Sequence, residues 1–362
     1  MMKREGSPMR HAAIVGWGEY TPPAVLSNED LASVIDTSDD WITTRTGIKE
    51  RRISHVPNAD MATAAARRAL AAADLAAEDM DLIVVATCSP DRAVPSVAAY
   101  VQRALGGLGA TMDVNAACSG FIYALTVANG MIAAGNVNRA LVIGAERLSS
   151  FLDFHDRTTA VLFGDGAGAV VVEASDGPEG LLSSNLHSDG SLTEILRIRG
   201  SGTEVVFDPD VPTTVDMEGR EVFRNAVTRM GEAAVVAIDS AGLSIEDIDV
   251  LLSHQANVRI IDAMAKRLRV DSDHVYTNIH AYGNTSAASI PIALSEALDQ
   301  GVIKPGDLIA MVAFGGGLTW GAAVVRWGDR IERLRESESG IPGTDKTGLE
   351  LLAARVQGLG IE

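Results

Sequence analysis

The chain has 362 residues, room for two ordinary domains or one large domain built from two halves, and its 47% apolar content excludes a largely disordered chain. A formal net charge of -18 repels phosphates, which excludes nucleic acid and anionic membranes as general partners and leaves an anionic partner only a local basic patch. Two cysteines, Cys88 and Cys118, with no C-x-x-C, exclude a disulfide framework and a structural zinc site and fit a reducing compartment.

The charged start, MMKREGSPMR, carries no apolar h-region, so no signal peptide is expected. No apolar run is long enough to span a membrane, and the expected location is the cytoplasm. Short apolar runs bounded by glycine or acidic residues then read as buried strands: AAIVGWG, DLIVVATCS, RALVIGAE, GAVVVEA, DVLLSHQ, DLIAMVAFGGG and GAAVVRW. Ala/Leu-rich stretches of helical length lie between them, such as MATAAARRALAAADL and RIIDAMAKRL. The alternation predicts an α/β protein with buried sheets and helices on their faces.

An internal repeat organises these elements. DLAAEDMDLIVV, from Asp74, aligns with GLSIEDIDVLLS, from Gly242, pairing Leu75 with Leu243 and Asp81 with Asp249 at an offset of 168 residues. Similar endings, GAGAVVVE and WGAAVVRW, close the two halves, which are expected over residues 1–179 and 180–327. The same offset sets Cys118 against Ser286 and NAACSGFIYAL against GNTSAASIPIAL, two small-residue turns that should meet near a pseudo-twofold axis. Residues 328–362 change character: charged, then Gly/Pro-punctuated, then weakly amphipathic through Leu349, Leu352, Val356 and Leu359. A frayed or loosely docked tail is expected there.

Four features can carry chemistry. Cys118 stands at the mouth of an apolar helix, where unpaired N–H groups and the helix dipole stabilise a thiolate, although a thiol among small residues also serves as packing. His254 follows the strand DVLLS, at the kind of strand end where α/β proteins build sites. Asn284, in YGNTSAAS, is either a turn residue or a neutral N–H donor suited to a developing oxyanion. FGGGLTWG removes three successive side chains after a strand, as a backbone does where it must approach a ligand. FGDGAGAVVV runs into a strand and lacks G-x-G-x-x-G, so it is no dinucleotide fingerprint. Arg259, Lys266 and Arg267 share one helical segment, a solvated face or, in so acidic a chain, a patch for an acidic protein.

Taken in order, DTSDDWITTRTGIKERR, DVNAACSGFIYAL, DRTTAVLFGDGAGAVVVE, MEGREVFRNAV, HQANVRIIDAMAKRL, GNTSAASIPIAL and AFGGGLTWG make residues 10–327 resemble the β-ketoacyl-acyl-carrier-protein synthase III family of the thiolase superfamily. The resemblance implies a thiolase-like five-layered αβαβα fold of two pseudo-symmetric halves, a homodimer, and a catalytic set of Cys118, His254 and Asn284. It implies an oxyanion hole from the N–H groups of Cys118 and Gly316. It also implies Trp41 and Arg157 around the adenine of coenzyme A, Arg45 at the nucleotide end, and Asn257 in the pantetheine channel. Acyl-carrier-protein contacts are implied for Gln255, Ala256, Asn257, Val258, Arg259 and Arg224. The implied reaction acylates Cys118 from a short acyl-CoA and condenses the acyl group with malonyl-acyl-carrier protein, with no metal or organic cofactor.

DRAVPS puts Val94 at the dimer-borne gate of the acyl pocket, where a small, stiff side chain admits primers longer or more branched than acetyl. Residues 328–362 lie beyond the usual family end. A biosynthetic thiolase needs a second cysteine at the glycine loop, and elongating condensing enzymes use two histidines; neither pattern is present. An acyltransferase on the same scaffold, delivering to an alcohol or amine, and a silent carrier-protein binder remain as alternatives.

Overall fold

The computed structural model describes residues 10–356. The charged start, residues 1–9, and Leu359 lie outside them. The first sheet takes β1 (His11–Tyr20), β2 (Leu82–Ala86), β3 (Ala110–Val114), β4 (Arg139–Arg147) and β5 (Asp165–Ser175), in the spatial order β1-β5-β4-β2-β3. The second takes β6 (Gly180–Ser188), β7 (Val250–Ser253), β8 (Val275–Tyr276), β9 (Leu308–Gly315) and β10 (Thr319–Arg326), in the order β6-β10-β9-β7-β8. The two orders are the same path walked twice. In each, four strands point the same way and the last strand of the half, β5 or β10, runs antiparallel between the first strand and the other three.

The main helices are α1 (Asp39–Thr46), α2 (Asn58–Ala73), α3 (Val97–Leu105), α4 (Gly120–Ala133), α5 (Gly219–Ser240), α6 (Val258–Leu268), α7 (Ser289–Asp299) and α8 (Gly348–Val356). Strand alternation decides what each covers. Leu82, Val84 and Ala86 of β2 face a central core shared with α4 and α7, whereas Ile83 and Val85 face α2 and α3. Likewise Ile309 and Met311 of β9 face the centre, and Ala310 and Val312 face α5 and α6. The layers therefore run α2/α3, sheet, α4/α7, sheet, α5/α6, the expected αβαβα sandwich. With both faces of each sheet covered, the strands read as continuous apolar runs rather than alternating ones. Close packing also needs glycine: a Cβ on Gly16 of β1 would lie 2.3 Å from the Ala69 carbonyl oxygen of α2.

The turns at the two helix mouths meet at the centre, where a Cβ on Gly120 would lie 3.4 Å from that of Ala287. Their equivalence shifts by one residue from the sequence alignment. Ala117 and Ser286 each open a 3-10 turn with positive φ, 45° and 49°, and each donates its N–H to the side-chain oxygen of the asparagine two residues before, Asn115 and Asn284. The offset here is 169, so Cys118 corresponds to Ala287 and Asn115 to Asn284. The connections leading to the two turns differ in length: Val114 ends β3 directly before Asn115, whereas residues 277–283 separate β8 from Asn284.

The segment after Trp327 is docked, which corrects the expectation of a loose tail. Arg330 donates to the Val15 carbonyl (2.7 Å), and the partly buried Arg333 joins Glu19 of the first half (3.1 Å) to Asp299 of the second (2.6 Å). Leu334 N–H bonds the Ala72 carbonyl and Arg335 pairs with Asp74. Helix α8 then buries Leu352 and Val356 against Leu26 and Ile53. Burial of those two side chains contributes about 4 kcal/mol. A chain ending at Arg330 is expected to lose about 5 °C in thermal midpoint by calorimetry, and an unchanged midpoint would contradict the docking.

Candidate active site

A cavity of about 1060 Å³ opens between the halves, lined by the half-buried Trp41 and the exposed Arg45 and by Cys118, His254, Asn284 and Gly316 among others. The cysteine, histidine and asparagine singled out from the sequence thus converge on one space, at the ends of elements from both halves.

Cys118 lies in the 3-10 turn Ala117–Ser119 that leads directly into α4. Burial pushes its thiol up to about 12; the Ser286 hydroxyl and the Cys118 N–H oppose this, and Glu146 reinforces it. The thiol is therefore protonated at neutral pH and must give up its proton as it reacts, with the first turn of α4 favouring the resulting anion. The glycine loop passes against this turn so closely that a Cβ on Gly315 would lie 2.6 Å from Cys118 N. Only a glycine there lets the loop lie this close against the turn that carries Cys118.

His254 is 3% exposed, and its backbone N–H is anchored on the Val312 carbonyl at 2.7 Å. Nδ1 lies 2.7 Å from Ser289 Oγ, which also accepts the Gln255 N–H at 3.4 Å. A serine oxygen that accepts from the backbone still has its own proton to give the imidazole, an arrangement in which Nδ1 accepts and Nε2–H is left as a donor. Burial holds the ring pKa down at about 3, so the imidazole is neutral throughout the physiological range.

Asn284 is fixed on both sides. Its N–H donates to the Leu162 carbonyl (2.8 Å) and its carbonyl accepts from Gly164 (3.0 Å), a short parallel bridge to the first half. Its Oδ1 accepts the Ser286 N–H at 2.9 Å, so the amide NH2 is the group left for the cavity. A neutral imidazole N–H and a neutral amide N–H then suit an oxygen that gains negative charge.

At the entrance, Ser38 caps α1 by accepting the Trp41 N–H (3.1 Å), and Gly47 ends it in a left-handed conformation, φ 78°. A Cβ on Gly47 would lie 2.8 Å from that of Val258, so the glycine lets α1 rest on the start of α6. The guanidinium of Arg45 lies 4.7 Å from the Trp41 ring centre and that of Arg157 5.1 Å. A third flat ring between Arg157 and Trp41 needs about 7 Å, two contacts of about 3.5 Å each. The expected adenine sandwich is therefore closed on itself here, and Arg157 instead bonds the carbonyl and carboxylate of Asp36.

The segment expected to meet a carrier protein divides. Gln255 is 1% exposed, and its amide bridges the Ser253 carbonyl (2.7 Å) and the Asn278 N–H (3.1 Å). Its side chain belongs to the interior, which corrects its assignment as a surface contact. Asn257 caps α6 by accepting the Arg259 N–H at 2.9 Å, and it also lines the cavity. Ala256 and Val258 are half-buried, whereas Arg259 and Arg224 are exposed, Arg224 beside Glu221. Of the remaining basic residues, Lys266 is exposed and Arg267 pairs with Glu232. Val94 is 82% exposed and does not line the cavity of its own chain.

Sequence reasoning missed three residues around the site. Ser286 and Ser289 lie inside the motif that drew attention to Asn284, two and five residues on. Glu146 was read only as the end of the strand RALVIGAE. An acidic residue closing an apolar run at a strand's carboxyl end was the signal available for it.

Residues 112–190 match the family described as 3-oxoacyl-[acyl-carrier-protein (ACP)] synthase III, and residues 238–327 match its C-terminal part. The chain is 49% identical over 350 residues to beta-ketoacyl-[acyl-carrier-protein] synthase III 2 of Vibrio cholerae, covering 96% of this chain and 97% of that one, and so extends into the segment after Trp327. It is 51% identical over 322 residues to the synthase III of Bacillus pumilus, covering 88% and 99%. Among solved structures, the synthase III of Aquifex aeolicus is similar with a TM-score of 0.83 and 48% identity, covering 87% of this chain and all of that one. The priming beta-ketosynthase of the R1128 polyketide pathway is similar with a TM-score of 0.85 and 34% identity, covering 91% and 99%. With this fold and these relatives, the chain belongs to the β-ketoacyl-acyl-carrier-protein synthase III family of thiolase-fold condensing enzymes.

Proposed function

We propose that Cys118 accepts a short acyl group from acyl-CoA and that decarboxylative condensation with malonyl-acyl-carrier protein yields a β-ketoacyl-acyl-carrier protein, the initiating step of fatty-acid synthesis or of polyketide priming. The convergence of Cys118, His254 and Asn284 on one cavity carries this reading, and relatives named for synthase III activity support it.

In the first half-reaction the Cys118 sulfur attacks the thioester carbonyl as its proton leaves. The oxyanion takes hydrogen bonds from the N–H groups of Cys118 and Gly316, each such donor worth about 3 kcal/mol in the transition state. The tetrahedral adduct expels the CoA thiolate, which recovers a proton. In the second half-reaction the bond between the malonyl α-carbon and its carboxylate breaks and CO2 departs. The electron pair forms an enolate whose oxygen accepts from His254 Nε2–H and the Asn284 amide. The α-carbon then attacks the acyl-cysteine carbonyl, and collapse breaks its C–S bond and returns Cys118 as a thiolate that regains a proton from solvent. No metal or organic cofactor enters these steps.

Coenzyme A enters past Trp41 once Arg157 swings off the indole, with Arg45 at the nucleotide end and Asn257 along the pantetheine path. The acidic carrier protein docks on Arg259 and Arg224, which are exposed beside the cavity mouth in a chain otherwise strongly acidic. Arg259→Glu is expected to raise KM for malonyl-acyl-carrier protein about tenfold at low salt, with the KM for acyl-CoA unchanged. Steady-state kinetics with each substrate varied in turn checks this, and parallel rises in both constants would contradict it.

Val94, exposed and away from its own cavity, suits a gate on the acyl pocket of a second copy, so the enzyme works as a homodimer. Its small side chain favours primers larger than acetyl. Among the described residues no helix is long and apolar enough to cross a membrane, and the cytoplasm supplies both substrates. Incubation with malonyl-acyl-carrier protein and acetyl-, isobutyryl- or octanoyl-CoA tests the reading. One CO2 per β-ketoacyl product is expected, with turnover of the larger primers; acyl transfer without CO2 would overturn condensation, and acetyl alone would overturn the gate.

A further inference from the structure

The second-last residue of strand β4 is Glu146, whose carboxyl is wholly buried at 0% exposure beside the cavity. Its donors come from both halves of the molecule. From the end of β2 and the turn beyond it come the Thr87 hydroxyl (3.2 Å), the Cys88 N–H (3.2 Å), the Cys88 thiol (3.3 Å) and the Ser89 hydroxyl. From the second half comes the Ser286 hydroxyl, which donates to Oε1 at 3.0 Å. Burial raises the carboxyl's pKa, and the hydrogen bonds oppose that shift. An acidic group kept in such a place, with hydrogen bonds but no facing cation among its strongest influences, needs a reason.

Ser286 supplies it. This serine adopts φ 49°, a left-handed conformation that disfavours residues other than glycine, asparagine and aspartate, so something must hold it. Its hydroxyl is tied to Glu146, and its N–H holds Asn284 Oδ1 at 2.9 Å. The orientation of the Asn284 amide, and with it the direction of the NH2 left for the cavity, therefore depends on a turn that Glu146 pins. The equivalent turn in the first half positions Cys118, and there Ala117, at φ 45°, has no hydroxyl to be pinned.

We infer that Glu146 is a positioning residue for the carbon–carbon bond-forming half-reaction, acting through Ser286 on the Asn284 amide. The inference rests on the condensation proposed above. Removing Glu146 frees the turn, and the amide loses its aim at the enolate oxygen; the turn that carries Cys118 keeps its place, and the loss of a carboxyl that raises the thiol's pKa does not slow acylation.

Single-turnover measurements on the full chain separate the two half-reactions: acylation by mass of the protein after mixing with acyl-CoA, condensation by product formation when preformed acyl-enzyme meets malonyl-acyl-carrier protein. Glu146→Ala is expected to slow condensation about 30-fold and acylation less than threefold. Glu146→Gln, which keeps an acceptor for Ser286, restores most of the condensation rate. Ser286→Gly accepts the left-handed φ without strain but lacks the hydroxyl. It is expected to slow condensation more than acylation, which loses only the hydroxyl's support of the Cys118 thiolate, and adding Glu146→Ala to it costs condensation little more, the non-additivity of two residues acting in one chain. Should Glu146→Ala fail to fold, Ser286→Gly and Glu146→Gln still carry the test. Equal slowing of both half-reactions, loss of acylation alone, or full additivity of the two substitutions would overturn the inference. A wild-type protein that acylates but never condenses would overturn the proposed function instead.

Discussion

Cys118→Ala is expected to abolish formation of an acyl-enzyme, with overall turnover falling about 10⁵-fold, because the thioester that splits the reaction into two steps forms on its sulfur. The fold should survive. Cys118 sits partly exposed in a turn of small residues, and loss of one sulfur there costs about 1 kcal/mol. Mass analysis of the protein after mixing with acyl-CoA, beside a thermal melt, separates lost chemistry from lost structure. Cys88 is the only other thiol, and it is a poor substitute: burial and the neighbouring Glu146 raise its pKa well above the ordinary value, and it is already engaged as a donor to that carboxyl. An adduct on Cys88 in the wild-type protein would contradict the assignment.

Asn284→Ala is expected to divide the reaction. Acylation stays within about threefold of wild type, whereas condensation falls about 300-fold, the loss expected when one preorganised donor to a developing oxyanion is removed. The asymmetry follows from where the amide points. Its oxygen is spent on Ser286, and its NH2 is the group assigned, in the proposed reaction, to the enolate that exists only in the second half-reaction. Rapid-quench measurement of each half-reaction checks this, and equal losses in both would contradict the role. Because the other donor, His254, is held neutral down to about pH 3, Asn284→Ala should introduce no acid limb near the ordinary histidine pKa.

Much of the architecture was legible because burial writes itself into composition. Each apolar run chosen as a strand became one, and the repeat at Asp74 and Gly242 marked the same 3-10 turn and strand in both halves. Strands β3, β6 and β8 left little trace. They lie on sheet edges, where one side meets no further strand and polar residues such as those of SSNLHS are tolerated; β8 is two residues long. The docked tail was misread for a related reason. Its hold comes from arginines reaching backbone carbonyls and carboxylates far away in sequence, which a hydropathy pattern cannot register.

The site was legible as residue types and illegible as orientation. Cys118, His254 and Asn284 could be chosen from their motifs, yet the one-residue shift between Cys118 and Ser286 emerged only from the positive φ angles of the two turns. Gln255 shows the limit most clearly. Its place in HQANVR suggested a surface contact, but it directly follows the buried His254, and its side chain turns inward to the ends of β7 and β8. Strand direction, not motif membership, decides such a residue.

The central claim is that one cysteine carries the acyl group from one thioester to the next. A pulse-chase experiment tests it: the protein is acylated with labelled acyl-CoA, freed of excess substrate, and given malonyl-acyl-carrier protein. The label is expected to leave the Cys118 peptide and appear in β-ketoacyl-acyl-carrier protein, with CO2 released in equal amount. Label that stays on Cys118, or that leaves it without CO2, would contradict the account.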